Sequence, residues 1–146
     1  MYSVWIHVRQ ASGLKLVGSE KTMNPVAYCT AFGKTVNTAR GDGGKTYNCV
    51  WNESFSFQKL MDEEEFSKES IQIRIEDHAK LWSNTLIGFV KFQAEHVHAQ
   101  PNHEFYQLSY PIVNVAGKKK DSAVTMQGQL EVSVCVLSEE DMKEVR

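Results

Sequence analysis

The chain has 146 residues, of which 42% are hydrophobic and 23% are charged, and its formal net charge at pH 7 is -2. A chain of this length and composition can bury one hydrophobic core, which excludes a wholly disordered protein. The near-neutral charge argues against a dedicated nucleic-acid-binding protein. No apolar run approaches the ~20 residues of a transmembrane helix. Residues 1–20 are too polar for a signal peptide. We therefore expect a cytoplasmic protein.

Eight segments are predicted to be β-strands because apolar and polar residues alternate along them, with Val, Ile, Phe and Tyr enriched. In chain order these segments are 3–9, 26–32, 35–38, 54–57, 71–76, 86–92, 104–108 and 129–136. Short helices are predicted at 60–68, 93–99 and 139–145. Many short strands separated by turn residues are typical of an antiparallel β-sandwich, so we expect an all-β fold.

The end of the chain differs in composition from the rest. Residues 139–146 hold four acidic and two basic side chains. We therefore expect one domain over 1–138 and a charged C-terminal tail or linker over 139–146. The three cysteines form no C-x-x-C pair, which predicts free thiols in a reducing compartment and no disulfide framework.

Catalytic motifs fail on spacing. Gly44-Lys45-Thr46 ends like a phosphate-binding loop, but Ala39 stands where that loop requires its first glycine. The dinucleotide pattern G-x-G-x-x-G and the nucleophile elbow G-x-S-x-G are both absent from the sequence. We therefore expect no enzyme and no small-molecule substrate.

One group of histidines has a metal-like spacing. His96 and His98 would share a face in an extended segment, as two zinc ligands require, and His103 and Glu104 follow closely. The intervening Pro101-Asn102 breaks the segment, so the sequence favours a polar surface turn over a metal site.

Four segments in chain order resemble the C2 domain, a β-sandwich that binds calcium and lipid. The segment 49–57 reads C-V-W-N-E-S-F-S-F, close to the family pattern W-N-E-x-F-x-F. The others are 8–14, which leads into a loop, 24–29 at the family's D-P-Y position, and 75–88 with its D-H and L-I-G. The pattern G-x-L-x-V-x-V comes last in this chain, at 128–134. The resemblance therefore implies an eight-stranded antiparallel β-sandwich, C2-domain-like, with type II topology.

The sequence A-Y-C-x-A at 27–31 is similar to the N-terminal C2 domain of ferlins. This resemblance implies a module of a vesicle-trafficking or membrane-fusion protein. The C2 resemblance implies that Trp51 packs beneath a loop. Trp5 lies on a predicted strand and is expected in the core.

C2 domains bind Ca²⁺ through about five loop carboxylates, and the resemblance places only two here, Asp77 and Glu20. Asn24 stands at a usual aspartate position, and Ala79 stands at another. Calcium prefers six to eight oxygens, several of them anionic. We therefore expect a degenerate, empty calcium site at Asp77, Glu20 and Asn24, and no cofactor. Asp77 would instead accept backbone N–H bonds as a loop residue.

The four longest predicted connections are 10–24, 39–50, 77–85 and 109–127, and an alternating sandwich brings them to one pole. Their basic residues outnumber their four acidic ones, which are Glu20, Asp42, Asp77 and Asp121. Leucine and tryptophan side chains at the loop tips are suited to insertion at a membrane interface. The predicted membrane-binding residues are Lys15, Leu16, Lys21, Arg40, Lys45, Lys80, Leu81, Trp82, Lys118, Lys119 and Lys120.

These features favour a non-catalytic module that docks on anionic phospholipid membranes without calcium, peripheral to the membrane. One alternative is a C2 domain that binds a protein partner along a sheet face or edge and does not bind lipid. The other is weak residual Ca²⁺ binding through Asp77 and Glu20.

Overall fold

The computed structural model describes residues 1–15, 24–39, 48–78, 84–115 and 124–144. The strands in these ranges are β1 (Tyr2–Ser12), β2 (Pro25–Ala31), β3 (Lys34–Asn37), β4 (Cys49–Lys59), β5 (Ser70–Asp77), β6 (Thr85–Gln93), β7 (Glu104–Val115) and β8 (Val124–Ser138). The helices are α1 (Glu63–Ser67), α2 (Ala94–His98) and α3 (Glu139–Glu144), with a 3₁₀ turn at Pro101–His103.

The eight strands are antiparallel in the order β3-β2-β5-β6-β7-β8-β1-β4. The β6–β7 pairing is limited to Phe89 opposite Val113. The sheet therefore folds there into two layers that nearly close on themselves. The all-β, eight-stranded prediction is confirmed, and the G-x-L-x-V-x-V strand comes last, as β8, beside β1.

Alternation along the strands creates a single core between the two layers. On β1 the side chains of Val4, Ile6 and Val8 are almost fully buried. They are joined by isoleucines of β5 and valines of β8, so both layers contribute to one apolar cluster. Burial of such branched side chains stabilises the fold by roughly 1.5–3 kcal/mol each relative to exposure.

The strand register defines two ends of the sandwich. At one end Ala11 lies opposite Cys49, Pro25 opposite Asp77, and Asp77 opposite Thr85. We call this end, where β1, β3, β5 and β7 finish, the loop pole. The other end carries α1, α2 and α3, and we call it the helical pole. The segments 16–23, 40–47, 79–83 and 116–123 connect strand ends at the loop pole and lie outside the described residues.

The strands that most exceed their predicted lengths are β4, β7 and β8. β4 begins at Cys49, whereas the sequence indicates a start near residue 54, because Asn52 takes a left-handed backbone conformation (φ 53°) that interrupts the alternation. Likewise, β7 continues to Val115 and β8 begins at Val124. These extensions shorten the predicted loops 39–50 and 109–127.

The three predicted short helices are all present. α1 begins at an N-cap, Asp62, whose side chain accepts a hydrogen bond from the Glu65 N–H. α3 covers most of the predicted tail and contacts the body of the domain, since Asp141 bonds to His98. The exact end of the domain stays a prediction. Among the described residues, no helix is long and apolar enough to cross a membrane.

Candidate functional site

Two strand ends at the loop pole are joined by a reciprocal pair of hydrogen bonds. Asp77 Oδ1 accepts a bond from the Asn24 N–H at 2.8 Å, and the His78 N–H donates to the Asn24 carbonyl oxygen at 2.9 Å. These bonds tie the start of β2 to the end of β5. Asp77 thus accepts a backbone N–H, the role that the sequence assigns to it when no calcium is bound.

A second connection spans the two layers beneath the same pole. The buried indole of Trp51, on β4, donates from Nε1 to the Pro25 carbonyl oxygen at 3.2 Å. Asn48 Oδ1 accepts a bond from the Gly13 N–H at 3.1 Å, which links the end of β1 to the start of β4. The packing of Trp51 below the loops agrees with the family resemblance.

The amide of Asn84 is also engaged within the domain. Its Nδ2 donates to the Tyr28 hydroxyl at 3.0 Å and to Glu76 Oε1 at 3.2 Å. Arg74 completes this group, since its Nε donates to Glu76 at 3.0 Å and its guanidinium lies 5.7 Å from the centre of the Tyr28 ring. Asn84 therefore serves to connect β2, β5 and the start of β6.

The structure brings together two of the three predicted calcium ligands, Asp77 and Asn24, and Glu20 lies outside the described residues. Of the predicted membrane-binding residues, Lys15 is described and is exposed where β1 leaves the sheet. Ten others also lie outside the described residues, namely Leu16, Lys21, Arg40, Lys45, Lys80, Leu81, Trp82, Lys118, Lys119 and Lys120.

The expectation that Trp5 lies in the core is wrong. Its side chain is 47% exposed on the outer face of the β7-β8-β1-β4 layer. On the same face, His7 bridges Asn52 and Ser54 through its two ring nitrogens, at 2.8 and 2.6 Å. The alternation on β1 carries a signal for this arrangement, because it places Trp5 with His7 and Arg9, opposite the apolar Val4, Ile6 and Val8.

The three cysteines, Cys29, Cys49 and Cys135, all lie among the described residues and form no disulfide. Burial, with a smaller effect of the Glu53 charge, raises the pKa of Cys29 to about 12. Burial, together with the charges of Glu104 and Asp141, raises the pKa of Cys135 to about 11. Thiols held in the neutral form are poor nucleophiles and poor metal ligands.

The fold and the W-N-E segment are those of a C2 domain. A family model described as "C2 domain" matches residues 3–110, and the chain belongs to this family. C2 domains are generally non-catalytic modules that commonly bind phospholipid membranes or proteins. A search of curated proteins gave no significant match.

Solved structures share this fold at low sequence identity. The C2 domain A of plant extended synaptotagmin 1 superposes with a TM-score of 0.62 at 17% identity, covering 94% of this chain and 96% of that one. A structure of the C2 domains A and B of extended synaptotagmin 2 gives 0.68 at 13%, covering 92% and 39%. Human GIVD cytosolic phospholipase A2 gives 0.60 at 14%, covering 92% and 16%. The chain therefore spans a single domain of these last two proteins.

Proposed function

We propose that this C2 domain docks on anionic phospholipid membranes through its loop pole and does so without calcium. The observation that carries the proposal is the register, which brings the strand ends bounding all four connecting segments to one end of the sandwich. The connections at this end contain twice as many bases as acids. The bases are Lys15, Lys21, Arg40, Lys45, Lys80, Lys118, Lys119 and Lys120, and the acids are Glu20, Asp42, Asp77 and Asp121.

The opposite charge at the helical pole supports a preferred orientation. The first turn of α1 carries Glu63, Glu64 and Glu65, all exposed, and follows Asp62. Near an anionic leaflet each base is worth about 1 kcal/mol and each acid opposes binding, so the domain should turn its loop pole toward the lipid. The attraction decays over a Debye length of about 8 Å at physiological salt.

The hydrogen bonding of Asp77 and Asn24, at the strand ends of the loop pole, supports calcium independence. Asp77 already bonds the Asn24 N–H, and Asn24 contributes a neutral side chain where a carboxylate would be needed. Among the described residues, Asp77 belongs to no group of three potential metal-binding side chains. Even with Glu20 added, two carboxylates supply too little negative charge for a tight calcium site.

The parent protein proposed for this module is a ferlin-type protein of vesicle trafficking or membrane fusion. The A-Y-C-x-A segment that supports this assignment forms most of β2, from Ala27 to Ala31. The extended synaptotagmins are similar to this chain in fold. Because all C2 domains share that fold, the similarity does not distinguish a ferlin-type parent from an extended synaptotagmin.

Co-sedimentation with vesicles tests the docking proposal. Vesicles of phosphatidylcholine alone are compared with vesicles containing about one-third phosphatidylserine, each with calcium and with chelator. We expect binding to the anionic vesicles alone, equal in both conditions and weakened by salt. Binding that requires calcium would contradict calcium independence, and absence of binding in all conditions would contradict membrane docking.

Two charge-matched double variants locate the contact. Lys119→Glu with Lys120→Glu alters the loop pole, whereas Lys59→Glu with Lys68→Glu alters the helical pole by the same net charge. We expect the first pair to weaken anionic-vesicle binding at least tenfold, and the second to change it less than threefold, given about 1 kcal/mol per base at the surface. Equal losses would show that net charge, and not the loop pole, drives binding.

A protein-binding C2 domain is the second candidate, and the exposed face around Trp5 favours it. Aromatic side chains are enriched at protein interfaces. The exposed Trp5 lies on the same face of β1 as His7 and Arg9. Absence of vesicle binding, together with self-association or partner capture that is lost in Trp5→Ala, would favour this function.

A further inference from the structure

Three side chains from separate parts of the chain meet at the helical pole, about the length of the sandwich away from the loops. His98 lies at the end of α2, His103 ends the 3₁₀ turn, and Asp141 lies on α3. His98 Nε2 is 2.7 Å from Asp141 Oδ2, and His103 Nε2 is 3.2 Å from Asp141 Oδ1. The carboxylate therefore faces a ring nitrogen with each of its oxygens.

We propose that His98, His103 and Asp141 form a binding site for a divalent transition-metal cation, of which zinc is the best match. Each residue offers one ligand atom, and these atoms all lie within 4.8 Å of one another. Two imidazoles and one carboxylate, with a water in the fourth position, form a common tetrahedral zinc environment. This site is independent of the membrane-docking proposal, since it lies at the opposite pole.

The hydrogen bonding of His103 leaves its Nε2 as the ring nitrogen that can bind a metal ion. Its Nδ1 is 2.6 Å from the carbonyl oxygen of His98, which has no hydrogen to donate, so Nδ1 carries the proton. In the neutral ring, Nε2 is then a bare lone pair that faces the carboxylate oxygen of Asp141. Two electron-rich atoms at 3.2 Å repel each other unless a positive charge lies between them.

The surroundings resemble the outer shell of known metal sites. A metal-bound histidine commonly donates its other N–H to a backbone carbonyl, as His103 does here. The Ser138 N–H donates to Asp141 Oδ2 at 2.8 Å, which fixes the orientation of the carboxylate. An aspartate carboxylate is ordinarily ionised at neutral pH, as a metal ligand must be.

Metal binding needs a small rearrangement. The His98 and His103 rings are stacked, with centroids 4.5 Å apart and planes 12° from parallel. Zinc bonds of about 2.0 Å in a tetrahedron separate ligand atoms by about 3.3 Å, so the His98–Asp141 pair must open and the rings must tilt toward one ion. Both rings are about one-third exposed, and His98 and Asp141 line an open cleft of about 540 Å³ that gives an ion access.

Zinc titration of the metal-stripped chain tests the proposal. Calorimetry should give about one Zn²⁺ per chain, and the thermal midpoint should rise with Zn²⁺ concentration, as for any ligand that binds the folded state alone. The variants Asp141→Asn and His103→Asn should weaken binding by more than the ~10–100-fold typical of losing an outer-shell partner. Asparagine is chosen at His103 because it tolerates the φ of 58° found there.

His96→Ala is the matched control. His96 is exposed on the same helix as His98, and its ring lies against Phe105, 5.7 Å away, outside the cluster. We expect its zinc affinity to be unchanged. Zinc affinity that falls equally in His96→Ala and His103→Asn would overturn the site.

Cobalt substitution gives a readout that needs no variant. Co²⁺ bound by two imidazoles and a carboxylate in a four-coordinate site should show visible absorption that excess Zn²⁺ removes. Absence of both the cobalt spectrum and the zinc-dependent stabilisation would overturn the proposal.

Discussion

The carboxylate of Asp77 and the backbone of Asn24 are joined at 2.8 Å, and this bond fastens the strand ends from which two connecting segments of the loop pole leave. Asp77, which matches a calcium ligand of the family, thus holds two strand ends of the loop pole together. This bond stabilises the loop pole without a bound metal ion.

Asp77→Ala should lower the free energy of unfolding by about 1 kcal/mol, because it leaves the Asn24 N–H without its acceptor at a half-buried position. Asp77→Asn keeps an acceptor oxygen and should cost less than half as much. Urea denaturation with chelator present measures both. A loss that appears only with calcium present would instead assign Asp77 to a metal site.

Trp51→Phe should destabilise the domain by about 1–3 kcal/mol, because it removes the indole donor from the buried Pro25 carbonyl and leaves unfilled space. Trp5→Phe is the matched control on the exposed face and should change the unfolding free energy by less than about 0.5 kcal/mol. Thermal and urea unfolding of both variants distinguish the two tryptophans. Equal effects would contradict the assignment of Trp51 as the internal connection.

Gly128→Ala should cost roughly 2–4 kcal/mol, for two reasons that add. Gly128 has a φ of +125°, and a Cβ there would meet the Ser12 carbonyl oxygen at 2.6 Å, which is backbone that cannot move aside. Gly33→Ala is the control, because Gly33 has a φ of +76° but open space around it, and it should cost about 1 kcal/mol. The difference in urea midpoints isolates the close approach of β8 to the end of β1.

Thiol labelling should follow burial and pKa. At about pH 8 the native chain should react slowly at the half-buried Cys135 and very slowly at Cys29, whose pKa is raised to about 12 by burial. All three cysteines should react at once in concentrated urea. Cys135→Ser removes the native-state reaction, and rapid labelling of that variant without denaturant would contradict the buried positions of Cys29 and Cys49.

Much of the sheet was predictable because strand pairing leaves a local record. A strand buried on one face alternates residue by residue, so all eight strands were located from the sequence, and β8 with its Leu130, Val132, Val134 and Val136 was the clearest. The prediction failed where the alternation is interrupted, at the left-handed Asn52 in β4. It also failed for Trp5, which was expected in the core as a strand residue although its alternation with His7 indicated the opposite face.

Local sequence is enough to locate the strands and short helices and to recognise the family, because each depends on neighbours in the chain or on short motifs. Contacts between side chains far apart in the chain depend instead on how the elements pack. His98 and Asp141 are 43 residues apart, and they come into contact because α2 and α3 pack at the same end of the sandwich. An extended segment would place His96 and His98 on one face, but the backbone is helical there, and a helix turns residues two apart to nearly opposite sides. Asp77 bonds Asn24 because antiparallel pairing of β2 and β5 returns the chain to the same pole.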